Sequence, residues 1–221
     1  MRRLALFARR PVAGEVKTRL SPAVPPALAL DLYRALLEDA LAASAEAVAD
    51  ERSIYWAAAA TEDGPAVPPG VRERQQQGAD LGERLAQAFV ELLAAAGDRA
   101  VILGADCPGL EAATLERAFE ALGSHDVVLG PARDGGYYLI GLRRPAPGLF
   151  REIEWSTPRV LDQTRERAAK AGLMVALLPA LDDLDTPEDL LRWIACRAGG
   201  EGPSGSRVLD RALRAMGLLP P

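Results

Sequence analysis

Short apolar runs alternate with longer amphipathic stretches along the chain, and this alternation predicts strands that are followed by helices. The runs that predict strands are four to eight residues long. We predict strands at Leu4–Ala8, Ser53–Ala60, Val71–Gln76, Ala100–Leu103, Asp126–Leu129, Tyr137–Leu142 and Met174–Pro179.

The amphipathic stretches carry apolar residues three and four positions apart, as helices do. We predict helices at Leu28–Val48, from an Asp80 cap towards Gly97, at Ala112–Leu122, at Pro158–Ala171, after Thr186 and at Val208–Leu219. Two starts have a capping-box pattern, Asp80 with Glu83 and Thr186 with Asp189. Ser156 or Thr157 is the expected cap of the helix at Pro158–Ala171.

Strands that alternate with helices predict an α/β fold with a mainly parallel sheet flanked by helices. The 221 residues suffice for one substantial domain, which we place at 1–198. A Gly- and Ser-rich flexible linker is expected at 199–207. The C-terminal helix at 208–221 either packs back on the domain or joins a second copy in a homodimer.

Composition excludes several classes of protein. Charges interrupt every apolar run well before membrane-spanning length, so we expect no membrane segment and a cytoplasmic location. The net charge of −5 argues against binding to nucleic acid. The two cysteines show neither disulfide nor metal spacing, and the sole histidine, His125, lies in a polar turn.

Acidic residues at three separated positions carry the candidate chemistry. Asp106 follows a predicted strand, Asp134 precedes a Gly-Gly pair, and Asp185 stands one residue before a helix cap. Lys17 and Arg19 lie in the loop after the first strand, and Lys17 is one of only two lysines against 24 arginines. Carboxylates suit a divalent metal, while cations and backbone N–H groups suit phosphates. Ligands of such sheets bind beyond the carboxyl ends of the strands.

Each of these features also has a structural explanation. In the structural interpretation, Asp106 would cap the turn or helix that follows it. Asp185 would simply precede the cap of the next helix. Asp134 with its two glycines suits a tight hairpin turn as well as the close approach of a ligand, and both alternatives stay open. Cys107 is expected to be a buried thiol, because no histidine accompanies it.

The segments FARRPVAGEVKTRL, GADLGERL, LGADCPGL, GPARDGGYYLIGL, IEWST and LDDLDTPEDL, in this order, carry a family resemblance. The chain resembles a bacterial family with the nucleotide-diphospho-sugar transferase (GT-A) fold, formerly a domain of unknown function and now labelled an arsenosugar-biosynthesis-type glycosyltransferase. More distantly, it is similar to the phospholactate and molybdenum-cofactor guanylyltransferases. The GGxxxRMG opening of those nucleotidyltransferases is absent, and the Asp-x-Asp of glycosyltransferases stands here as Asp-Cys-Pro.

The resemblance implies a role for each matching residue. Asp106 and Asp185 would bind the metal, Mg²⁺ or Mn²⁺. The nucleotide and its phosphates would contact Ala8, Arg9, Gly14, Lys17, Arg19, Gly78, Asp80, Leu81 and Ala105. The acceptor or sugar would contact Asp134, Gly135, Gly136, Tyr137 and Trp155. Lys17, through its charge, and Asp134, as a general base, are the expected catalytic residues.

The resemblance also implies the activity. We expect a metal-dependent glycosyltransferase that uses a nucleotide-sugar donor, with nucleotidyl transfer that releases pyrophosphate as the alternative. A non-catalytic nucleotide-binding module is a third alternative. In each case the expected partner is a small nucleotide or nucleotide-sugar, not a nucleic acid or a membrane.

Overall fold

The computed structural model describes residues 1–21, 23–57, 67–200 and 206–220. Its strands are β1 (Arg2–Ala8), β2 (Glu51–Trp56), β3 (Val71–Gln75), β4 (Arg99–Gly104), β5 (Val127–Pro131), β6 (Tyr137–Leu142) and β7 (Val175–Leu177). Its helices are α1 (Pro26–Glu46), α2 (Leu81–Leu92), α3 (Ala112–Ala121), α4 (Val160–Lys170), α5 (Pro187–Ala198) and α6 (Arg207–Ala215). Short 3-10 turns occupy Thr18–Leu20 and Pro147–Phe150.

The seven strands form one sheet in the order β3-β2-β1-β4-β6-β5-β7. Strand β6 is antiparallel to both of its neighbours, and the other pairs are parallel. The carboxyl ends of the other strands and the amino end of β6 therefore lie along one edge. The mainly parallel α/β sheet predicted from the sequence is confirmed.

Alternating side chains of the strands cover opposite faces of the sheet. In β1, Leu4 and Leu6 pack on one face with Tyr33 of α1 and Phe119 of α3. Ala5 packs on the other face, in the cluster that includes α2 and α4. The core thus lies in two layers between the sheet and its helices, which holds the strand ends rigidly in place.

Strand β2 ends at Trp56, and the last part of the predicted Ser53–Ala60 strand lies outside the described residues. Most of the predicted linker at 199–207 and Pro221 also lie outside them. The described helices include none with both the length and the apolar character that a membrane crossing requires.

The C-terminal helix α6 packs back on the domain. Leu209 and Leu213 are fully buried against α1 and α5. The Asp39 carboxylate of α1 accepts hydrogen bonds from the backbone N–H groups of Val208 and Leu209, both at 2.9 Å. Because these apolar residues are buried within the chain, the expected homodimer through this helix gains no support from them.

Candidate active site

A cavity of about 720 Å³ opens at the sheet edge where the parallel strands end. Its wall includes Ala8 after β1, Ala57 after β2, Gln76 after β3, Ala105 after β4 and Tyr137 at the start of β6. The loop from Arg9 to Arg19 forms another side. This is the edge at which α/β sheets bind their ligands.

Lys17 stands at the centre of the charged end of this cavity. Its Nζ lies 2.5 Å from Oδ1 of Asp106 and 3.5 Å from Oδ1 of Asp185. The side chain is almost fully buried, and the backbone is left-handed with φ of 50°. A left-handed non-glycine residue costs about 1–2 kcal/mol. The two ion pairs offset that cost and hold the ammonium in one place.

The protonation of Lys17 reflects a competition between burial and charge. Burial by itself lowers the pKa of this ammonium, but the Asp106 and Asp185 carboxylates outweigh that effect, and the pKa is raised above its ordinary value. Lys17 is therefore a fixed positive charge throughout the neutral range. A buried, permanently charged ammonium between two carboxylates is suited to bind an anionic group that approaches from the cavity.

Asp185 is positioned by the start of α5. Thr186 caps this helix, and its side chain and that of Asp189 form the predicted capping box. The Asp189 carboxylate also accepts a hydrogen bond from the Asp185 backbone N–H, at 3.2 Å. Asp185 then pairs with Lys17 and, at 2.9 Å, with the exposed guanidinium of Arg19. The helix cap thus fixes a carboxylate that holds both cations of the loop.

The carboxylates of Asp106 and Asp185 fit a divalent cation. Both converge on one point, now taken by the Lys17 ammonium, and Asp106 is 57% exposed to the cavity side. Mg²⁺ is commonly held by one or two carboxylates together with substrate phosphates and water. Within the described residues, no group of three or more His, Cys, Asp or Glu side chains is arranged as a metal site. The donor set therefore matches a metal that arrives with a phosphate ligand.

Tyr33 of α1 fixes the start of the basic loop. Its hydroxyl accepts a hydrogen bond from the Arg9 backbone N–H at 2.8 Å and donates one to the Arg9 carbonyl at 2.9 Å. Burial raises the pKa of this phenol, so the hydroxyl remains a donor at neutral pH. One side chain thus satisfies both backbone groups of Arg9 at the cavity wall.

We expect Tyr33→Phe to destabilise the protein by about 1–3 kcal/mol, because two backbone groups of Arg9 lose their partner in a partly buried position. Binding of a phosphate-bearing ligand in the cavity should weaken as well, since the loop that carries Lys17 is no longer held. Tyr55→Phe is the matched control: its hydroxyl donates a hydrogen bond to the Glu91 side chain, at 3.0 Å, and not to a loop backbone group. Denaturant unfolding and calorimetry measure the two effects. Equal losses in both variants would contradict a specific role for Tyr33.

The Asp134-Gly-Gly segment is the turn of the β5–β6 hairpin. Asp134 is exposed, and its Oδ1 accepts a hydrogen bond from the Gly136 backbone N–H at 2.8 Å. Gly135 has φ of 91°, and a Cβ there would lie 2.1 Å from the Pro158 carbonyl oxygen. The segment thus forms the hairpin turn, and packing against Pro158 requires a glycine at its first Gly position. The approach of a ligand to this turn stays a prediction.

Tyr137 and Trp155 both line the cavity, and their rings meet edge to face with centroids 6.5 Å apart. The Tyr137 hydroxyl is buried in the interior, which raises its pKa. The part of this residue that lines the cavity is therefore its ring. Trp155 is half-buried and packs over Gly82, where an added Cβ would lie 3.0 Å from the indole nitrogen. The two rings form an apolar part of the cavity wall.

The structure gathers most of the predicted site residues around one cavity. Those that line it are Ala8, Arg9, Lys17, Arg19, Leu81, Ala105, Asp106, Tyr137, Trp155 and Asp185. Those that do not are Gly14, Gly78, Asp80, Asp134, Gly135 and Gly136. Asp80 instead caps α2, accepting a hydrogen bond from the Glu83 backbone N–H at 2.8 Å.

Sequence reasoning missed several residues of this region. Tyr33, Gln76 and Arg84 line the cavity, and burial and then the Asp134 carboxylate raise the pKa of Asp183 to about 6. Among these residues Gln76 carried a signal, because it is the last residue of a predicted strand. Cys107, predicted to be a buried thiol, is a partly buried free cysteine, and its pKa is raised well above its ordinary value by burial of the thiol and then by Asp106.

Comparison with known proteins shows which family this chain matches. Residues 33–157 match the family described as "Uncharacterized protein conserved in bacteria (DUF2064)". The chain is 34% identical to the 3-phospho-D-glycerate guanylyltransferase of Phenylobacterium zucineum, with 93% of each protein covered. It is 30% identical to the 2-phospho-L-lactate guanylyltransferase of Methanothermobacter thermautotrophicus, with 79% of this chain and 76% of that protein covered.

One solved structure is similar along nearly the whole chain. It is from Desulfovibrio desulfuricans and is described as a candidate nucleotide-diphospho-sugar transferase, with a TM-score of 0.82, 31% identity and 97% of each chain covered. The fold and the resemblance predicted from the sequence motifs are confirmed. The chain is a transferase with the nucleotide-diphospho-sugar transferase fold.

Proposed function

Because the chain belongs to the DUF2064 family and is related along nearly its whole length to a guanylyltransferase, we propose that it is a metal-dependent nucleotidyltransferase. It transfers the guanylyl group of GTP to a small phosphorylated carboxylic acid and releases pyrophosphate. The two related enzymes are named for acceptors of this class, 3-phospho-D-glycerate and 2-phospho-L-lactate. Nucleotidyl transfer was the alternative that the sequence left open.

The observation that carries the proposal is the buried Lys17 ammonium between Asp106 and Asp185 at the cavity. In the proposed reaction, a phosphate oxygen of the acceptor attacks the α-phosphorus of GTP and the α–β phosphoanhydride bond breaks. Lys17 and Arg19 bind the triphosphate and balance the charge of the departing pyrophosphate. Asp106 and Asp185 would hold Mg²⁺ or Mn²⁺, which when bound neutralises phosphate oxygens and supports the leaving group.

Two parts of the cavity suit the two parts of the GTP substrate. The charged end, with Lys17 and Arg19, meets the phosphates. The strand ends at Ala8 and Gln76 leave room for the nucleoside beside them. Trp155 and Tyr137 form an apolar part of the wall and exclude water from the reacting groups, which strengthens the electrostatic contacts within the cavity.

Glycosyl transfer from a nucleotide-sugar, our first expectation from the sequence, is the second candidate function. It is favoured by the description of the Desulfovibrio structure. The proposed role of Asp134 as a general base belongs to this candidate, because a hydroxyl acceptor must lose a proton. A phosphate acceptor is already anionic at neutral pH and needs no base.

Asp134→Asn separates the two candidates. Under nucleotidyl transfer we expect turnover to stay within about threefold of wild type, because Asp134 is exposed and its hydrogen bond is to the Gly136 backbone N–H of its own turn. Loss of a general base would instead lower the rate by about 10²–10⁴-fold. The assay follows pyrophosphate from GTP with phosphoglycerate or phospholactate, and nucleoside diphosphate from nucleotide-sugars. A large loss in the variant would favour glycosyl transfer.

A further inference from the structure

Gln76 continues the line of β3 by one residue and forms part of the cavity wall. Its backbone N–H donates to the Trp56 carbonyl at 2.9 Å, as in the parallel ladder with β2. The residue is half-buried, whereas Gln75 and Gln77 on either side are exposed. Of the three consecutive glutamines, one is therefore held at the site.

The side-chain amide of Gln76 has one possible orientation. Its Nε2 donates to the Tyr55 carbonyl at 2.9 Å and to the Ala8 carbonyl at 3.5 Å. Both partners are carbonyl oxygens, which only accept, so the nitrogen must face them and use both of its N–H groups. Oε1 is left as the free acceptor, and no hydrogen bond to it is made within the described part of the chain.

The segment after Gln76 is rigid. Gly78 has φ of 138°, and a Cβ there would lie 2.6 Å from the Glu83 Cβ. The Gly78 carbonyl accepts a hydrogen bond from Arg84 Nε at 3.1 Å, and the Ala79 N–H donates to the Glu83 carboxylate at 2.9 Å. A free acceptor that is already held in a rigid position loses little conformational entropy when it binds a donor.

The Gln76 amide also adjoins the start of the phosphate loop. It contacts the carbonyl of Ala8, and the next residue, Arg9, begins the loop that carries Lys17. A nucleotide whose phosphates lie against Lys17 would thus place its base or sugar along the strand ends where Gln76 stands. The wall there offers a hydrogen-bond acceptor at a fixed position.

We propose that Gln76 selects the nucleobase, with Oε1 accepting hydrogen bonds from the N–H groups of the guanine pairing edge. This inference rests on the proposed nucleotidyl transfer and assigns a specificity residue to it. Guanine presents two adjacent donors, N1–H and the 2-amino group. Adenine presents a lone pair at N1, which would face the lone pairs of Oε1 and disfavour binding.

The experiment measures binding of GTP and ATP by calorimetry in the presence of Mg²⁺, for wild type, Gln76→Met and Gln77→Ala. Methionine keeps the length of the side chain but not its acceptor. Gln77→Ala is the control, since that residue is exposed and lies outside the cavity. We expect Gln76→Met to weaken GTP binding about tenfold, the size of one good hydrogen bond, and to leave ATP binding unchanged or slightly stronger. The control should match wild type.

A second arm uses only the wild-type protein and so does not depend on the folding of a variant. GTP methylated at N1 lacks one of the two donors, and we expect it to bind at least about tenfold more weakly than GTP. The assignment would be overturned if Gln76→Met weakened GTP and ATP binding equally. It would also be overturned if the wild-type protein bound N1-methylated GTP as tightly as GTP. Pyrophosphate release from GTP by wild type would still stand in that case, whereas no triphosphate binding at all would overturn the proposed function as well.

Discussion

Lys17→Met is expected to lower kcat/KM for the triphosphate by about 10²-fold or more, because a buried, charge-assisted contact to phosphate is lost. The substitution also leaves the Asp106 and Asp185 carboxylates facing each other without the cation that now lies between them. Binding of the free nucleoside should change far less, since no phosphate is involved. Steady-state kinetics and calorimetry with guanosine and GTP measure the difference.

The other lysine provides a matched control. Lys170 is exposed in the last turn of α4. Lys170→Met removes the same ammonium charge and keeps an apolar side chain, but at the surface, where substitutions usually change stability by less than about 0.5 kcal/mol. We expect it to leave the kinetics unchanged. If Lys17→Met weakened guanosine as strongly as GTP, the basic loop would have a structural role and not a phosphate-binding one.

Asp106→Asn has the second large expected effect. The amide keeps the shape of the side chain but loses the charge, so we expect the Mg²⁺-dependent part of GTP binding to disappear and turnover to fall by about 10²-fold or more. Calorimetric titration of GTP with Mg²⁺ and with EDTA measures the metal-dependent part. Asp162→Asn, exposed on α4, is the control. A variant that still gained affinity from Mg²⁺ as wild type does would contradict the assignment of Asp106.

Local rules predicted the elements that local contacts determine. Asp80 and Thr186 cap α2 and α5 as expected, because the side chains that they need lie within the same turn. The expected cap of α4 was wrong. Ser156 takes a left-handed conformation with φ of 63°, and Thr157 donates its hydroxyl to the Glu154 carbonyl at 2.7 Å. The helix then begins at Val160 without a side-chain cap.

The site was predictable where it depends on strand ends. Lys17 and Asp106 could be placed together because both follow parallel strands, which end at one edge. The metal role expected for Asp185 rested on the family resemblance. The ion pairs themselves could not be predicted, because the left-handed turn at Lys17 that buries its ammonium depends on tertiary contacts. Tyr33 was hidden for a similar reason: within an apolar stripe of α1, a tyrosine looks like any core residue until its partner Arg9 is known.

The most direct test of the central claim is ³¹P NMR of the wild-type protein incubated with Mg²⁺, GTP and either 3-phosphoglycerate or 2-phospholactate. We expect a pyrophosphate resonance to grow with the loss of GTP, together with a new diester-type diphosphate signal from the guanylylated acceptor. Parallel samples contain GDP- and UDP-sugars in place of GTP. Release of nucleoside diphosphate from a nucleotide-sugar, with no pyrophosphate from GTP, would contradict nucleotidyl transfer.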